Sequence, residues 1–302
     1  MLLVSNVSYP RNNFGGLVPL KCILDGLYAE RSSLHRANDP ISFCHRFVDP
    51  LDQEIVGLVA SSLAYGNVRS ILQSLEIVIP KMTPSPRRFI EDFDIRYCSE
   101  TFSGFKHRFN DSRDLCALFF AARKMITEAG SIGSYFSSFY DSQADDLTST
   151  ISAFTSEVLR MDYTPVFRSP ELPTDSNFAF FFPSPSGGSA CKRLCMYLRW
   201  MVRPADGIDL GLWSGISPAQ LVVPVDAHIQ RIARFLGFTS RRQPDWRMAR
   251  EITAALKDFD PDDPVKYDFS LCHLGISEGC NGSNRTACLT CPLSEVCGGT
   301  VE

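Results

Sequence analysis

A lysine and an aspartate near the middle of the chain are the residue types that nucleophilic chemistry at an electrophilic carbon requires. Lys192 ends the segment Gly188-Ser-Ala-Cys-Lys192, and Asp226 lies 34 positions later in Val225-Asp-Ala-His-Ile-Gln-Arg231. An amine attacks such a carbon, and an ionised carboxylate stabilises the positive charge that develops there. We therefore predict that Lys192 and Asp226 form a catalytic pair, provided that the fold brings them to one cleft.

The residues after Lys192 have the spacing of an amphipathic helix. Leu194, Leu198 and Met201 recur at the intervals of a buried helix face. Lys192 begins a second stripe, which continues through Met196, Arg199 and Arg203. Neighbouring cations lower the pKa of a half-buried lysine, as an amine nucleophile requires. The alternative is an ordinary solvated lysine.

Asp226 stands just before a second predicted helix. The buried stripe of that helix comprises Val225, Ile229, Ile232 and Leu236. A helix N-terminus stabilises a negative charge, so the alternative to a catalytic carboxylate is a plain helix cap. His228, two residues later, is either a phosphate contact or a structural histidine.

Four clustered cysteines follow downstream, with the spacing Cys280-x7-Cys288-x2-Cys291-x5-Cys297. Four thiolates that include a C-x2-C pair hold either a structural zinc ion or a 4Fe–4S cluster, and the spacing does not choose between them. The other seven cysteines are scattered, and a chain with no export signal is not expected to use a disulfide framework. We expect those seven to be small buried hydrophobic residues.

The chain carries a formal net charge of −4, which argues against a protein that simply coats nucleic acid. Between Ala190 and Arg250, however, there are ten Lys and Arg residues against four Asp residues. This basic segment is a candidate contact for a phosphate backbone, and a solvated charged face is the alternative. The apolar runs are too short to span a membrane, and the N-terminus lacks a signal-peptide pattern. We therefore expect a cytoplasmic protein with no membrane partner.

Almost every long segment has helical periodicity and no run alternates as a β-strand does, so we predict an all-α fold. Helices are expected at residues 17–31, 51–64, 67–80, from the cap at Asp111 to Gly130, and at 146–160. The Phe-rich stretch 165–188 is either a buried loop with a short hydrophobic helix or an aromatic wall near the site. We divide the chain into a central bundle, residues 42–189, and a second lobe, residues 1–41 plus 190–302.

These motifs together resemble the helix-hairpin-helix DNA glycosylase superfamily, over roughly residues 45–297. Members bind a 4Fe–4S cluster through C-x6-C-x2-C-x5-C, which is one residue shorter in the first gap than the quartet here. Their Val-Asp-Thr-His-Ile-x-Arg motif is similar to the segment around Asp226, which makes Asp226 the counterpart of the essential aspartate. Their hairpin, Gly-x-Gly-x-Lys, corresponds to the segment that ends at Lys192, with Ala190 in place of the second glycine.

The separation of Lys192 and Asp226 is similar to that in the archaeal 8-oxoguanine DNA glycosylases. Those proteins contact the damaged base through a later aspartate in a Leu-Asp-x-x-Leu context, and Asp268 in Tyr267-Asp-Phe-Ser-Leu271 is its counterpart. The nearest resemblance overall is to a bacterial family of unknown function that shares Ala-Cys-Lys-Arg-Leu and Asp-Pro-x-Lys-Tyr-Asp-Phe.

The resemblance implies two helical lobes of the glycosylase type and a base-excision repair enzyme with AP lyase activity, with oxidised purines as candidate substrates. Lys192 is then the nucleophile and Asp226 the electrostatic stabiliser, while the loop 280–297 holds a structural 4Fe–4S cluster, with zinc as the alternative. The partner is double-stranded DNA with a damaged base flipped into a pocket, and the protein is a monomer. The implied substrate contacts are Asp268, His228, Arg193, Arg199, Arg231 and Asn67.

Two alternatives stay open. The connection Tyr65-Gly66-Asn67 is either a wedge that enters the vacated base stack or a tight turn between two helices. The chain as a whole is either an enzyme of this kind or a non-catalytic or RNA-directed nucleic-acid binding protein that retains the fold and the cluster.

Overall fold

The computed structural model describes residues 20–31, 38–277, 279–280 and 285–298. Within these ranges the prediction of an all-α fold is confirmed, because the only strands are the two-residue β1 (Lys106–His107) and β2 (Asn110–Asp111). The helices are α1 Leu20–Arg31, α2 Pro50–Ser62, α3 Val68–Val78, α4 Pro86–Glu91, α5 Ile95–Thr101, α6 Ser112–Ala129, α7 Ile132–Ser137, α8 Thr148–Arg160, α9 Thr164–Phe167, α10 Lys192–Val202, α11 Ala227–Phe235, α12 Trp246–Lys257, α13 Asp268–Ser277 and α14 Arg285–Leu289. Short 3-10 turns lie at Pro40–Arg46, Ile79–Lys81, Phe178–Phe181, Pro185–Gly187 and Pro218–Gln220.

The break between α2 and α3 arises from local chemistry. Gly66 has a φ of 97°, a left-handed conformation that glycine adopts without a steric penalty. Asn67 follows, and its side-chain oxygen accepts a hydrogen bond from the backbone N–H of Arg69 at 2.9 Å, which caps α3. The predicted helix break at residues 65–67 is therefore confirmed.

Helix α6 begins and ends where its sequence predicts. Asp111 caps its N-terminus, and Asp114 bonds back to the Asp111 backbone, so the two side chains form a capping box. Gly130 ends the helix with a left-handed φ of 86°. The helix between them is buried continuously from Asp114 to Ala122 and has an exposed face in its last two turns.

Helix α2 lies at the centre of the core, with every residue from Glu54 to Ser62 buried. Helix α10 crosses it at Gly57, where an added methyl group would lie 2.6 Å from Met201 Cε and 3.1 Å from Tyr197 Cε2. Only glycine permits this approach, since real Cβ atoms do not make contacts that short. The close crossing fixes the position of α10, and therefore of Lys192 at its start.

Helix α1 belongs to the C-terminal half of the structure. Tyr28 donates a hydrogen bond to Asp206 at 2.8 Å, and Tyr267 donates one to Asp25 at 2.7 Å. The predicted second lobe also includes residues 1–19 and 32–37, which lie outside the described residues. The division at residue 189 stays a prediction, because the hydrophobic core runs without a break across it.

The Phe-rich stretch is mainly core. Phe178, Phe181 and Phe182 are buried, which supports the buried-loop interpretation, whereas Phe180 is 41% exposed. The expectation for the scattered cysteines was wrong in two places. A disulfide joins Cys98 to Cys116, and Cys22 is exposed.

No helix in the described ranges is both long enough and apolar enough to cross a membrane.

Candidate active site

A cavity of about 500 Å³ lies between the start of α10, the start of α11, helix α13 and the connection from α2 to α3. It is the place where most of the predicted site residues meet. The predicted residues that line it are Lys192, Asp226, Asp268, His228, Arg199 and Asn67. The two that do not line it are Arg193 and Arg231.

Lys192 is the first residue of α10 and is half-buried at the cavity wall. Met196 and Arg199 follow it on the same wall, so the predicted stripe does face the cavity as far as Arg199. Cys191, which precedes it, has a left-handed φ of 48° that is uncommon for a residue other than glycine. This turn directs the chain into α10 at the lysine.

Asp226 caps α11 and lines the cavity at the same time. Its Oδ1 accepts hydrogen bonds from the backbone N–H groups of His228 and Ile229, both at 2.8 Å. Its Oδ2 accepts a hydrogen bond from the Cys272 thiol, with 3.1 Å between Sγ and Oδ2. The two interpretations of Asp226 are thus compatible, since one oxygen serves the helix and the other faces α13.

Asp268 is the buried acid of the site. It is 5% exposed and forms an ion pair with Arg199, whose Nε also donates to Asp209 Oδ1 at 3.2 Å. Burial raises the pKa of the Asp268 carboxyl to about 6, and the nearby charge of Asp226 adds to this, while Arg199 opposes it. A carboxyl with this pKa exchanges a proton easily near neutral pH.

The arginines of α10 differ from their expected role as surface cations. Arg193 is buried, and its guanidinium donates to the Ser62 carbonyl at 2.8 Å and to the Phe180 carbonyl. Burial lowers its pKa to about 10. The predicted substrate contact by Arg193 is therefore corrected, because this side chain joins α10 to the end of α2 and does not reach the cavity.

Arg199 and Arg203 are neutralised by carboxylates inside the protein. Arg203 donates to Asp206 at 2.9 Å and to Asp263 at 2.9 Å, and like Arg199 it also pairs with Asp209. Because both arginines are paired with carboxylates, they add little net positive charge beside Lys192. The predicted helix face from Lys192 to Arg199 does line the cavity. The positive charges of Arg199 and Arg203, however, are neutralised by aspartates.

His228 and Asn67 also line the cavity. Among the described residues, His228 Nδ1 is buried and has no hydrogen-bond partner. Gly275 of α13 packs on the His228 ring, where an added methyl group would lie 2.9 Å from Nδ1. This contact brings α13 against α11 and so brings Cys272 within reach of Asp226.

The cysteine segment packs beside α11. Gly298 donates its backbone N–H to the Phe235 carbonyl at 2.8 Å, and Arg231 donates to the Cys280 carbonyl. Arg231 thus anchors this segment, which differs from its predicted contact with substrate.

The four predicted metal ligands are half-buried, and none of them is in a disulfide. Among the described residues, no three metal-binding side chains form a group that would hold an ion, and residues 281–284 of the loop lie outside the described ranges. The donor chemistry of four thiols fits a 4Fe–4S cluster or zinc. The metal site formed by Cys280, Cys288, Cys291 and Cys297 therefore stays a prediction.

Cys272 is a cavity residue that the sequence analysis missed. It lies one helical turn after Asp268 on α13, and Ile276 follows at the same interval. Residues at this spacing share a helix face. The spacing of Asp268, Cys272 and Ile276 could therefore have placed Cys272 on the same helix face as Asp268. The spacing does not show that this face contacts Asp226.

Comparison with known proteins gives one result. A family model described as "Protein of unknown function (DUF2400)" matches residues 39–277, and the chain belongs to that family. No curated protein and no solved structure matches the chain. The matched region contains Lys192, Asp226 and Asp268, and it ends before the cysteine quartet.

Proposed function

We propose that this protein is a DNA glycosylase with AP lyase activity, with Lys192 as the nucleophile and Asp226 as the electrostatic stabiliser. The observation that carries the proposal is the convergence of Lys192, Asp226 and the buried Asp268 on one cavity. The cavity volume of about 500 Å³ is within the range of small-ligand sites and accommodates a flipped nucleotide.

The fixed position of Asp226 supports its proposed role as the electrostatic stabiliser. Its Oδ1 is fixed by two backbone N–H groups, and the helix N-terminus stabilises its negative charge. As the bond between the base and C1′ breaks, positive charge develops on the sugar, and a fixed carboxylate lowers the energy of that state. Asp268 lies on the same cavity and would hydrogen-bond the departing base, with Arg199 holding the carboxyl in place.

Lys192 would then form the covalent intermediate. Its uncharged amine attacks C1′ while the base leaves with the electrons of the glycosidic bond and takes up a proton. Loss of the amine proton and opening of the sugar ring give a Schiff base. Removal of a C2′ proton then expels the phosphate at C3′ and cuts the strand. The attack needs the amine within bonding distance of C1′, and the place of Lys192 on the cavity wall supports this role.

The remaining predicted residues have supporting roles in this proposal. The Tyr65-Gly66-Asn67 connection lies at the cavity edge, where Asn67 would fill the space left by the flipped nucleotide. The cysteine segment would hold a 4Fe–4S cluster, or zinc, that stabilises the loop beside α11.

Borohydride trapping on DNA with an abasic site tests the proposal. Reduction converts a Schiff base into a permanent link, so wild type is expected to give a covalent adduct that Lys192→Ala abolishes. Lys257→Ala is the matched control, since Lys257 is half-buried like Lys192 and does not line the cavity. An undiminished adduct in Lys192→Ala would exclude Lys192 as the nucleophile. No adduct with wild type, together with retained binding of DNA or RNA, would favour the non-catalytic or RNA-directed binding protein instead.

A further inference from the structure

The β1–β2 hairpin carries two exposed side chains at its tip. Lys106 pairs with Asp111 and His107 with Asn110, so Arg108 and Phe109 form a two-residue loop. Phe109 is 55% exposed. Arg108 has a φ of 53°, at a loop position that normally favours glycine. Residues held in an unfavourable backbone conformation recur at functional sites.

The hairpin tip is held rigidly by hydrogen bonds. Tyr65 donates to the His107 carbonyl at 2.8 Å and to Asn110 Oδ1 at 2.6 Å. Asn177 donates to the Phe109 carbonyl at 2.9 Å. The exposed phenyl ring is therefore presented by a fixed backbone, so a ligand that contacts it does not have to order the loop.

Three aromatic rings and two guanidinium groups form one cluster at this point. Phe109 lies parallel to Tyr65 with 6.1 Å between ring centroids, and Phe180 is nearly perpendicular to both, at 5.8 and 4.9 Å. Arg193 lies over Phe180 at 4.0 Å, and Arg108 lies over Phe109 at 5.4 Å. The half-buried Tyr65 and the buried Arg193 support the exposed rings of Phe109 and Phe180.

This cluster adjoins the cavity. A methyl group on Gly66 would lie 2.7 Å from Arg108 Cδ and 2.8 Å from its Nη1, and Gly66 lines the cavity together with Asn67. The hairpin tip thus packs directly against the cavity edge. The cluster is therefore within reach of a nucleotide that neighbours one bound in the cavity.

The charge around the cluster suits a phosphate backbone. Lys106, Arg108 and Arg69 are exposed, and none of them has a carboxylate partner among the described residues. Arg113 nearby is already paired with Asp111 and Asp175, so it adds no free charge. Because the protein is acidic overall, these few cations are not enough for tight binding of nucleic acid. The remaining binding free energy has to come from stacking of bases on the aromatic rings.

We propose that Tyr65, Arg108, Phe109 and Phe180 form a stacking platform for an unpaired nucleobase adjacent to the nucleotide in the cavity, so that the substrate is DNA whose strand is unpaired beside the target. The proposal rests on the proposed function for the occupant of the cavity. A paired base beside the extruded nucleotide stays in the duplex, and Asn67 would cover the one face that the extrusion exposes. Only an unpaired base can leave the stack and lie flat on Phe109.

Binding to DNA that carries a stable abasic analogue tests the platform without any chemistry. Three probes share one sequence: a duplex paired on both sides of the analogue, a duplex mismatched on both sides, and the single strand. Fluorescence anisotropy is expected to show that wild type binds the mismatched and single-stranded probes more tightly than the paired one. Phe109→Ala should weaken binding to those two by about 5- to 100-fold and leave the paired probe nearly unchanged.

Two variants control for folding and for ring chemistry. Phe109→Trp retains a stacking face and should keep wild-type affinity. Tyr97→Ala removes another exposed ring, 52% accessible, that lines neither the cavity nor the cluster, and it should change nothing. Equal affinity of wild type for all three probes, or Phe109→Ala binding as wild type does, would overturn the platform. Since the analogue cannot form a Schiff base, a failure of the lyase proposal leaves this result interpretable.

Discussion

The Cys272 thiol of α13 donates a hydrogen bond to the Asp226 carboxylate at the start of α11, with 3.1 Å between Sγ and Oδ2. Burial raises the pKa of this thiol well above its usual range, and the charge of Asp226 raises it further. The positive charge of Lys192 opposes these two effects on the pKa of the thiol. This one thiol therefore reports on both members of the proposed catalytic pair.

Alkylation of Cys272 should respond in opposite directions to two substitutions. Asp226→Asn removes a negative charge and should speed the reaction, whereas Lys192→Ala removes a positive charge and should slow it. Each pKa unit changes the thiolate fraction by about tenfold. Mass spectrometry of the Cys272 peptide gives the rate, and the exposed Cys22 is the internal control. A change in the same direction in both variants would contradict the arrangement.

Asp268 should make stability depend on pH. Its folded pKa of about 6 lies above the usual value of about 4 for an aspartate, so its contribution is fully present below about pH 4 and is lost as the pH rises through 6. As the pH rises from about 4 to above 6, ionisation of Asp268 should lower the free energy of unfolding of wild type by about 3 kcal/mol. Asp268→Asn should lack this decrease. Urea unfolding at several pH values measures it, with Asp175→Asn as an exposed control. Parallel curves for wild type and Asp268→Asn would exclude this role.

Glu54 is expected to be a major stabilising residue although it lies outside the site. Its buried carboxylate accepts hydrogen bonds from the backbone of Ile132 at 2.9 Å and Gly133 at 2.7 Å, and from Trp213 Nε1 at 2.7 Å. Glu54→Ala leaves three buried donors without a partner and should cost about 3 kcal/mol or more. Chemical denaturation is the measurement. Glu157→Ala, at an exposed position, should change stability by less than about 0.5 kcal/mol.

Three glycine-to-alanine substitutions should differ in their effect on stability, and their order tests the contact of Gly66 with Arg108 at the cavity edge. Gly66→Ala combines a left-handed φ with a clash against Arg108 and should destabilise by about 2 kcal/mol or more. Gly104→Ala has the left-handed φ in open space and should cost about 1 kcal/mol. Gly26→Ala, inside α1, should instead stabilise by about 0.5–1 kcal/mol. Thermal unfolding of the three variants should reproduce this order, and an equal cost at Gly66 and Gly104 would contradict the contact with Arg108.

The cysteine quartet should bind iron and sulfide when the protein is prepared without oxygen. Cys288→Ser and Cys291→Ser should each lose the metal, whereas Cys22→Ser should retain it. Metal and sulfide analysis distinguishes a 4Fe–4S cluster from zinc, which would bind without sulfide. Equal metal content in the Cys288 and Cys22 variants would exclude the quartet as the ligand set.

The sequence alone determined the local features of the site. The helix start at Lys192, the cap at Asp226 and the break before Asn67 depend on residues within a few positions of each other, and the structure has all three where they were predicted. The buried stripe of α11 follows from helical spacing for the same reason. Roles taken from the family resemblance stay predictions.

Only the tertiary structure decided which side chains meet. Arg193 and Arg199 are both on α10, yet one is buried against Phe180 and the other pairs with Asp268, 69 positions away. Cys272 reaches Asp226 only because Gly275 lets α13 pack against α11. Spacing along the chain determines which face of a helix a residue occupies. Which residues contact that face depends on how distant segments pack.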